Sequence, residues 1–165
     1  MTHPTIILRH RKENLKKCSL RGLEKRNDLS FYTYPTSMDL NLEGYVMLYL
    51  DPNSPKVLSQ EDKNYGLFLL DSTWNYEKKM HDQILKNHPK IIYRSLPDHF
   101  VTAYPRIQTG CVDPEKGLAT VEALYIAYKI LDKNTEGLLD HYYFKEAFLE
   151  KNKKAFEELD ILKIG

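Results

Sequence analysis

Cysteine is scarce in this sequence, and long apolar runs are missing from it. Cys18 and Cys111 are the only two cysteines, and they form no CxxC pair. Their number and separation exclude a disulfide scaffold and a cysteine zinc site, and they fit a reducing cytoplasm. No segment approaches the roughly 20 apolar residues that span a bilayer, and the first residues lack the apolar stretch and cleavage site of a signal peptide. We therefore expect a cytoplasmic protein without a membrane partner.

Several motifs with well-defined chemistry are also missing. The sequence contains no GxxxxGK[ST] phosphate loop, no GxGxxG turn, no HExxH pair and no GxSxG nucleophile elbow. Its six histidines show no metal-ligand spacing. We therefore expect no catalytic metal. Cys18 lies among cations, but no partner base can be named for it, so we interpret it as an ordinary structural thiol.

The sequence does contain enough apolar material for a folded core. Of its 165 residues, 42% are hydrophobic and 12% are aromatic, a composition that disfavours disorder over the whole length. This length favours one domain, which we expect to be divided into two lobes.

Positive charge is concentrated near the start of the chain. Residues 1–26 include eight basic and two acidic residues, a net charge of +6 that leaves −5 for the other 139 residues. A basic segment on a mildly acidic body attracts polyanions locally, although the same residues would also suit a solvated helix surface. Charge alone does not distinguish a polyanion-binding segment from a solvated helix surface. The run Arg9-His10-Arg11 slightly favours binding to a nucleic acid.

Short apolar segments predict a mainly parallel sheet in the first half of the chain. They are rich in β-branched and other apolar residues and are bounded by turn residues or helix-like segments. The predicted strands are Thr5–Leu8, Gly44–Leu50, Gly66–Leu70 and Ile91–Tyr93, and the predicted helices are Lys12–Arg26 and Tyr76–Leu85. Because strands alternate with helices, we predict an α/β fold with parallel strands.

Helical periodicity dominates after Pro114. An apolar stripe starts at Val121, with Thr120 as the predicted N-cap and Glu122 in the first turn, where the helix dipole favours a carboxylate. A further helix is predicted over Leu138–Leu159. Its predicted inward residues are Leu139, Tyr142, Tyr143, Ala147, Phe148, Ala155, Phe156 and Leu159. We place the lobe boundary near Tyr93, between residues 1–93 and 94–165.

One predicted strand ends in residues suited to a binding site. Leu70 is followed by Asp71-Ser72-Thr73-Trp74, which contains the only tryptophan. Ligands of open α/β sheets lie at the carboxyl ends of strands, where Asp71 could accept hydrogen bonds or act as a base. The alternative is that Asp71 caps the next helix and Trp74 packs in the core. Residues alone favour this alternative, because helix caps are more common than catalytic acids. Three other segments are predicted to converge on the same place: Leu50-Asp51-Pro52, Arg94-Ser95-Leu96-Pro97 and Gly117-Leu118-Ala119-Thr120.

The order of these segments resembles a known enzyme family, the S-adenosylmethionine-dependent aminocarboxypropyltransferases that modify small-subunit ribosomal RNA. These enzymes are related to the DTW-domain enzymes, which modify tRNA uridine. The matching segments are Lys16-Lys17-Cys18-Ser19, Leu50-Asp51-Pro52, Leu70-Asp71-Ser72-Thr73-Trp74, Arg94-Ser95-Leu96-Pro97, Val101-Thr102-Ala103-Tyr104-Pro105, Leu118–Leu124 and Phe148–Asn152. The sequence departs from the family pattern at Leu20, Tyr104 and Ala119, and its segment 106–117 is longer.

The resemblance implies a fold and an activity. It implies a SPOUT-like α/β half followed by a helical half, threaded into a deep knot. The activity it implies is transfer of the 3-amino-3-carboxypropyl group from S-adenosylmethionine to a nitrogen of uridine or pseudouridine, with methylthioadenosine as co-product. Transfer to tRNA uridine, a methyltransferase, and a non-catalytic RNA-binding or ribosome-assembly module remain open alternatives.

The resemblance also implies roles for individual residues. Trp74 would cover the sulfonium end of S-adenosylmethionine, and Asp71 would act as the base or have an architectural role. The implied S-adenosylmethionine contacts are Leu50, Pro52, Leu70, Thr73, Trp74, Leu96, Lys116, Leu118 and Ala119. The implied RNA phosphate contacts are Arg9, Arg11, Lys12, Lys16, Lys17 and Arg21. We expect a monomer whose partner is ribosomal RNA or a pre-ribosomal particle.

Overall fold

The fold was determined as a computed structural model. It describes residues 3–11, 19–35, 40–48, 56–72, 74–103 and 118–164, apart from the side chains at 74, 75, 163 and 164.

A sheet of five parallel strands lies in the first half of the chain. Its strands are β1 (Thr5–His10), β2 (Leu29–Tyr34), β3 (Tyr45–Leu48), β4 (Gly66–Asp71) and β5 (Ile92–Arg94). They are arranged in the order β2-β1-β4-β3-β5, and every pair is parallel. The predicted α/β fold with a mainly parallel sheet is therefore confirmed.

Within the described residues, four α-helices accompany the sheet. They are α1 (Trp74–Asn87), α2 (Thr120–Ile130), α3 (Lys145–Lys151) and α4 (Lys153–Ile164). The last three follow the sheet in sequence, as predicted. None of these helices has the length and apolar character needed to cross a membrane.

The central strands β1, β3 and β4 are largely apolar on both sides because both faces of the sheet are covered. Ile7 and Leu69 pack with residues of α2, α3 and α4 in one core cluster. Leu8 and Phe68, their neighbours along the strands, pack with Met80 of α1 in a second cluster on the opposite face. Side chains of a strand alternate between faces, so a strand with two covered faces needs apolar residues at every position.

Strand β2 does not appear among the predicted strands. Its sequence, LSFYTY, includes Ser30 and Thr33, and its burial is uneven because it lies at the edge of the sheet. Only Leu29 and Tyr34 are buried in this strand. Its pattern therefore lacks the continuous apolar run by which the central strands are recognised.

The predicted helix over Lys12–Arg26 is wrong where the structure describes it. Residues 19–26 form successive turns, closed by hydrogen bonds from Leu23 N to Leu20 O and from Arg26 N to Leu23 O. Gly22 has a φ of 90°, which is outside the helical region. Residues 12–18 lie outside the described residues.

The single helix predicted over Leu138–Leu159 is also wrong. Residues 138–144 contain turns, α3 begins at Lys145, and Asn152 separates α3 from α4. The Asn152 side chain donates to Phe148 O at 2.9 Å and to Val101 O at 2.8 Å, and it accepts from Val101 N at 2.8 Å. These bonds join the helix junction to a distant segment, a contact that helical periodicity does not reveal. Tyr143, which is 89% exposed, and Ala147 face outward instead of inward.

Helix α2 begins one residue from its predicted start. Thr120 is its first helical residue, and Ala119 occupies the N-cap position assigned to Thr120. Glu122 lies in the first turn, as predicted. Thr120 instead directs its hydroxyl to Asp71 of β4.

Candidate functional site

The candidate site lies where the parallel strands end. Strand β4 ends at Asp71, α1 begins at Trp74, and α2 begins at Thr120, whose hydroxyl contacts Asp71. This carboxyl edge is the usual ligand-binding edge of an open parallel sheet.

Asp71 joins three elements at this edge. Its side chain is buried, and the Nε of Arg9 on β1 donates to Asp71 Oδ2 at 3.1 Å. The hydroxyl of Thr120 on α2 donates to Asp71 Oδ1 at 2.9 Å. The sheet register brings the charged pair together, because Arg9 and Asp71 are opposite one another in β1 and β4. Both carboxylate oxygens of Asp71 therefore already accept hydrogen bonds.

The guanidinium of Arg9 faces the protein interior. Arg9 is 8% exposed, its Nη1 lies 3.5 Å from Glu24 Oε2, and its guanidinium carbon lies 4.8 Å from the ring centre of Phe31. A buried cation needs such partners to offset its desolvation. This position differs from the phosphate contact expected of Arg9.

Five other basic residues were predicted to contact RNA phosphates, and the structure describes two of them. Arg11 and Arg21 are exposed. Lys12, Lys16 and Lys17 lie outside the described residues. The part of the basic segment that the structure describes thus contains one buried and two exposed members of the predicted RNA-binding set.

A second buried carboxylate lies in the first turn of α2. Glu122 is 0% exposed. Its Oε1 accepts hydrogen bonds from Thr102 Oγ1 at 2.6 Å and from Ala119 N at 2.8 Å. Its Oε2 accepts from Ala103 N at 2.9 Å and from Tyr142 Oη at 2.8 Å. A glutamate three residues after an N-cap is a recognisable capping signal, but the contacts with Thr102, Ala103 and Tyr142 could not be found from spacing.

A third buried carboxylate supports the segment after β5. Arg94 Nε lies 3.1 Å from both oxygens of Asp62, which is 2% exposed. Asp62 also accepts a hydrogen bond from Ser59 N at 3.1 Å. The pair fixes the strand end that precedes Leu96, and no sequence pattern predicted Asp62 as the partner of Arg94.

Two rings stack beside the start of α1. The imidazole of His10, at the end of β1, lies 4.0 Å from the ring centre of Tyr76, with 13° between the planes. Tyr76 is two residues after Trp74 in the helix. This contact fixes the first turn of α1 against the sheet edge and was not predicted from the sequence.

The predicted S-adenosylmethionine contacts fall into two groups. Leu96 and Ala119 are buried, and Leu70 and Leu118 are half-buried. Leu50, Pro52, Thr73 and Lys116 lie outside the described residues, as does the Trp74 side chain. The structure thus describes part of the predicted contact set.

A buried serine hydroxyl lies at this edge. Ser72 Oγ, next to Asp71, is buried and has no hydrogen-bond partner among the residues that the structure describes. Buried hydroxyls are normally paired. The atom therefore fits a site that holds a polar ligand such as S-adenosylmethionine.

A surface cavity lies at the opposite edge of the sheet. It has a volume of about 480 Å³, and its lining includes Tyr45, Tyr65 and Ile92. Tyr45 and Ile92 begin their strands, and Tyr65 directly precedes β4. We do not assign the site to this cavity because ligands of parallel sheets bind at the carboxyl edge.

Comparisons with known proteins identify a family and a solved structure of similar fold. The family model described as "Ribosome biogenesis protein, C-terminal" matches residues 48–162. A search of curated proteins finds no match. The fold is similar to the structure of the SAM-dependent rRNA:acp-transferase Tsr3 from Vulcanisaeta distributa, with a TM-score of 0.63 and 20% sequence identity. That similarity covers 94% of this chain and 82% of the other chain.

Proposed function

Since the chain belongs to the family described as "Ribosome biogenesis protein, C-terminal", we propose that it modifies small-subunit ribosomal RNA. The proposed reaction transfers the 3-amino-3-carboxypropyl group from S-adenosylmethionine to a nitrogen of uridine or pseudouridine. Methylthioadenosine is the co-product. The similarity in fold to an rRNA:acp-transferase supports the proposal.

The observation that carries the proposal is the construction of the strand edge. Asp71, Arg9 and Thr120 join β4, β1 and α2 at the carboxyl edge of the sheet, where the binding segments are predicted to converge. Ser72 Oγ lies beside this network without a partner in the described residues. A strand edge held by these hydrogen bonds suits a reaction whose catalysis depends mainly on orientation.

S-adenosylmethionine, when bound, supplies an electrophilic carbon attached to a sulfonium. Leu50 and Pro52 are proposed to flank the adenine, main-chain groups at Leu70 to hold the ribose, and Trp74 to cover the methyl group. Thr73, which precedes Trp74, is also proposed to contact S-adenosylmethionine. Main-chain groups at Leu96, Lys116, Leu118 and Ala119 are proposed to hold the amino-acid end. By excluding water, these residues favour a reaction in which positive charge is dispersed.

Asp71 is proposed to position the strand edge and not to act as the base. Both of its oxygens already accept hydrogen bonds, one of them from the buried guanidinium of Arg9. Proton transfer to this carboxylate would weaken the contacts that join the three elements. The two contacts therefore favour the architectural alternative.

The basic segment is proposed to contact RNA phosphates through Arg11, Lys12, Lys16, Lys17 and Arg21. Arg11 and Arg21 are exposed, as such contacts require. Arg9 is left out because its charge is directed at Asp71.

We also propose the SPOUT-like knotted arrangement and the two lobes, 1–93 and 94–165. The parallel sheet followed by helices supports this proposal.

The RNA target is tested by label transfer. The protein is incubated with carboxyl-labelled S-adenosylmethionine and total cellular RNA, and the RNA classes are then separated. We expect label in small-subunit ribosomal RNA. Label in tRNA alone would favour the tRNA alternative. The absence of label from every RNA would contradict aminocarboxypropyl transfer and leave a methyltransferase or a non-catalytic module.

A further inference from the structure

The carboxylate of Glu122 is buried, and no described residue gives it a cationic partner. All four of its hydrogen-bond donors are neutral: two hydroxyls and two main-chain amides. No ion pair among the described residues includes it. Its position in the first turn of α2 places the negative charge where the helix dipole favours it. The charge is therefore stabilised by directed dipoles, and all of these have to stay in place around it.

The two main-chain donors belong to separate segments of the chain. Ala103 lies in the segment 101–103, which follows Phe100, and Ala119 directly precedes α2. Sixteen positions separate them in sequence, yet both amides donate to one carboxylate. Glu122 thereby fixes the position of Ala119 relative to residues 101–103.

We propose that Glu122 is a positioning residue for S-adenosylmethionine, acting through the main chain of Leu118 and Ala119. This inference rests on the proposed function, because these two residues are proposed S-adenosylmethionine contacts. Glu122 itself is fully buried and its carboxylate is used by four donors, so it acts through the segments that it holds. Its carboxylate positions the main-chain groups of Leu118 and Ala119 that would bind the amino-acid end of S-adenosylmethionine.

A glutamine at this position could not make the same bonds. Each carboxylate oxygen accepts from one amide, which has a fixed direction, and one hydroxyl, which can rotate. The amide nitrogen of glutamine would face either Ala103 N or Ala119 N, whichever way the side chain turned. One of the two segments would then lose its anchor.

The structure offers a matched pair of milder variants. Thr102→Val and Tyr142→Phe each remove one hydroxyl that donates to Glu122. Thr102 belongs to one of the two segments that the carboxylate joins, whereas Tyr142 lies beyond α2 in the turns before α3. A purely structural role for Glu122 would make the two variants equivalent.

Binding of S-adenosylmethionine is measured by calorimetry on the full chain, well below the unfolding temperature of each variant. We expect Thr102→Val to weaken binding about 3- to 10-fold, as loss of one hydrogen bond does. Tyr142→Phe is expected to stay within about twofold of the wild type, and Glu122→Gln to lose about tenfold or more. If Glu122→Gln does not fold, the matched pair still decides the question.

Two outcomes separate this inference from the proposed function. If the wild type binds S-adenosylmethionine and the matched pair binds equally well, the role of Glu122 is overturned and the proposed function stands. If the wild type does not bind, the proposed function fails.

Hydrogen exchange gives a readout that does not depend on the ligand. The amides of Ala103 and Ala119 should exchange faster in Thr102→Val than in Tyr142→Phe, and equal rates would contradict the inference.

Discussion

The charged pair at the strand edge is the residue-scale feature with the largest expected effect on stability. Arg9 and Asp71 are both buried, and they bond at 3.1 Å. Removing one partner of a buried pair leaves the other charge without its counterion. We expect Asp71→Asn to lower the free energy of unfolding by about 3 kcal/mol in urea denaturation.

An exposed ion pair provides the control for this substitution. Lys78 and Asp82 lie 3.1 Å apart on the solvent side of α1, and Asp82→Asn should cost less than about 0.5 kcal/mol. Equal effects of the two substitutions would contradict the account. A loss of transferase activity in Asp71→Asn without loss of stability would instead support a role as the base.

Tyr128 gives a residue-scale prediction for alkaline pH. Burial raises the pKa of Tyr128 to about 12, and its hydroxyl bonds Thr5 Oγ1 at 2.7 Å. Because the folded state holds this proton more tightly than the unfolded state, stability from this group is present below pH 10. It is lost as the pH rises towards 12.

We expect the wild type to lose stability more steeply than Tyr128→Phe over that interval. The measurement is the free energy of unfolding at several pH values, with Tyr143→Phe as the control because Tyr143 is 89% exposed. Parallel curves for the wild type and Tyr128→Phe would show that the buried hydroxyl does not titrate as described.

At the scale of elements, the covered strands were predictable and the irregular segments were not. Strand β4 is apolar throughout because both of its faces are covered, and local sequence records that fact. The turns over residues 19–26 depend on Gly22 and on burial of Leu20 and Leu23 against distant residues. The break at Asn152 depends on Val101, which lies 51 residues away. Such contacts leave no periodic signal.

The basic segment makes an element-scale prediction. Replacing Arg11, Lys12 and Arg21 with Ala removes three proposed phosphate contacts. We expect RNA affinity to fall about tenfold, and the slope of log affinity against log salt to fall by about 2. Affinity is measured by fluorescence anisotropy at several salt concentrations with a small-subunit RNA fragment.

A second triple variant controls for net charge. Replacing the exposed Lys79, Lys86 and Lys90 removes the same amount of charge from α1 and the residues after it. It should reduce affinity much less than the first triple variant. Equal losses would mean that RNA responds to the overall charge and not to the basic segment.

At the scale of the whole molecule, the fold brings distant segments to one edge. The position of Asp71 at the end of a predicted strand marked it as a candidate, and the structure joins it to Thr120 of α2. The sequence motifs did not reveal that Arg9 would pair with Asp71, because that contact depends on the register of β1 against β4. Nor did they reveal the four donors around Glu122, which come from three separate parts of the chain.

The identity of the co-product distinguishes aminocarboxypropyl transfer from methyl transfer. The protein is incubated with S-adenosylmethionine and unmodified small-subunit ribosomal RNA, and the small molecules are separated by chromatography. We expect methylthioadenosine, in an amount equal to the aminocarboxypropyl groups gained by the RNA. Accumulation of S-adenosylhomocysteine would show methyl transfer and contradict the proposed reaction.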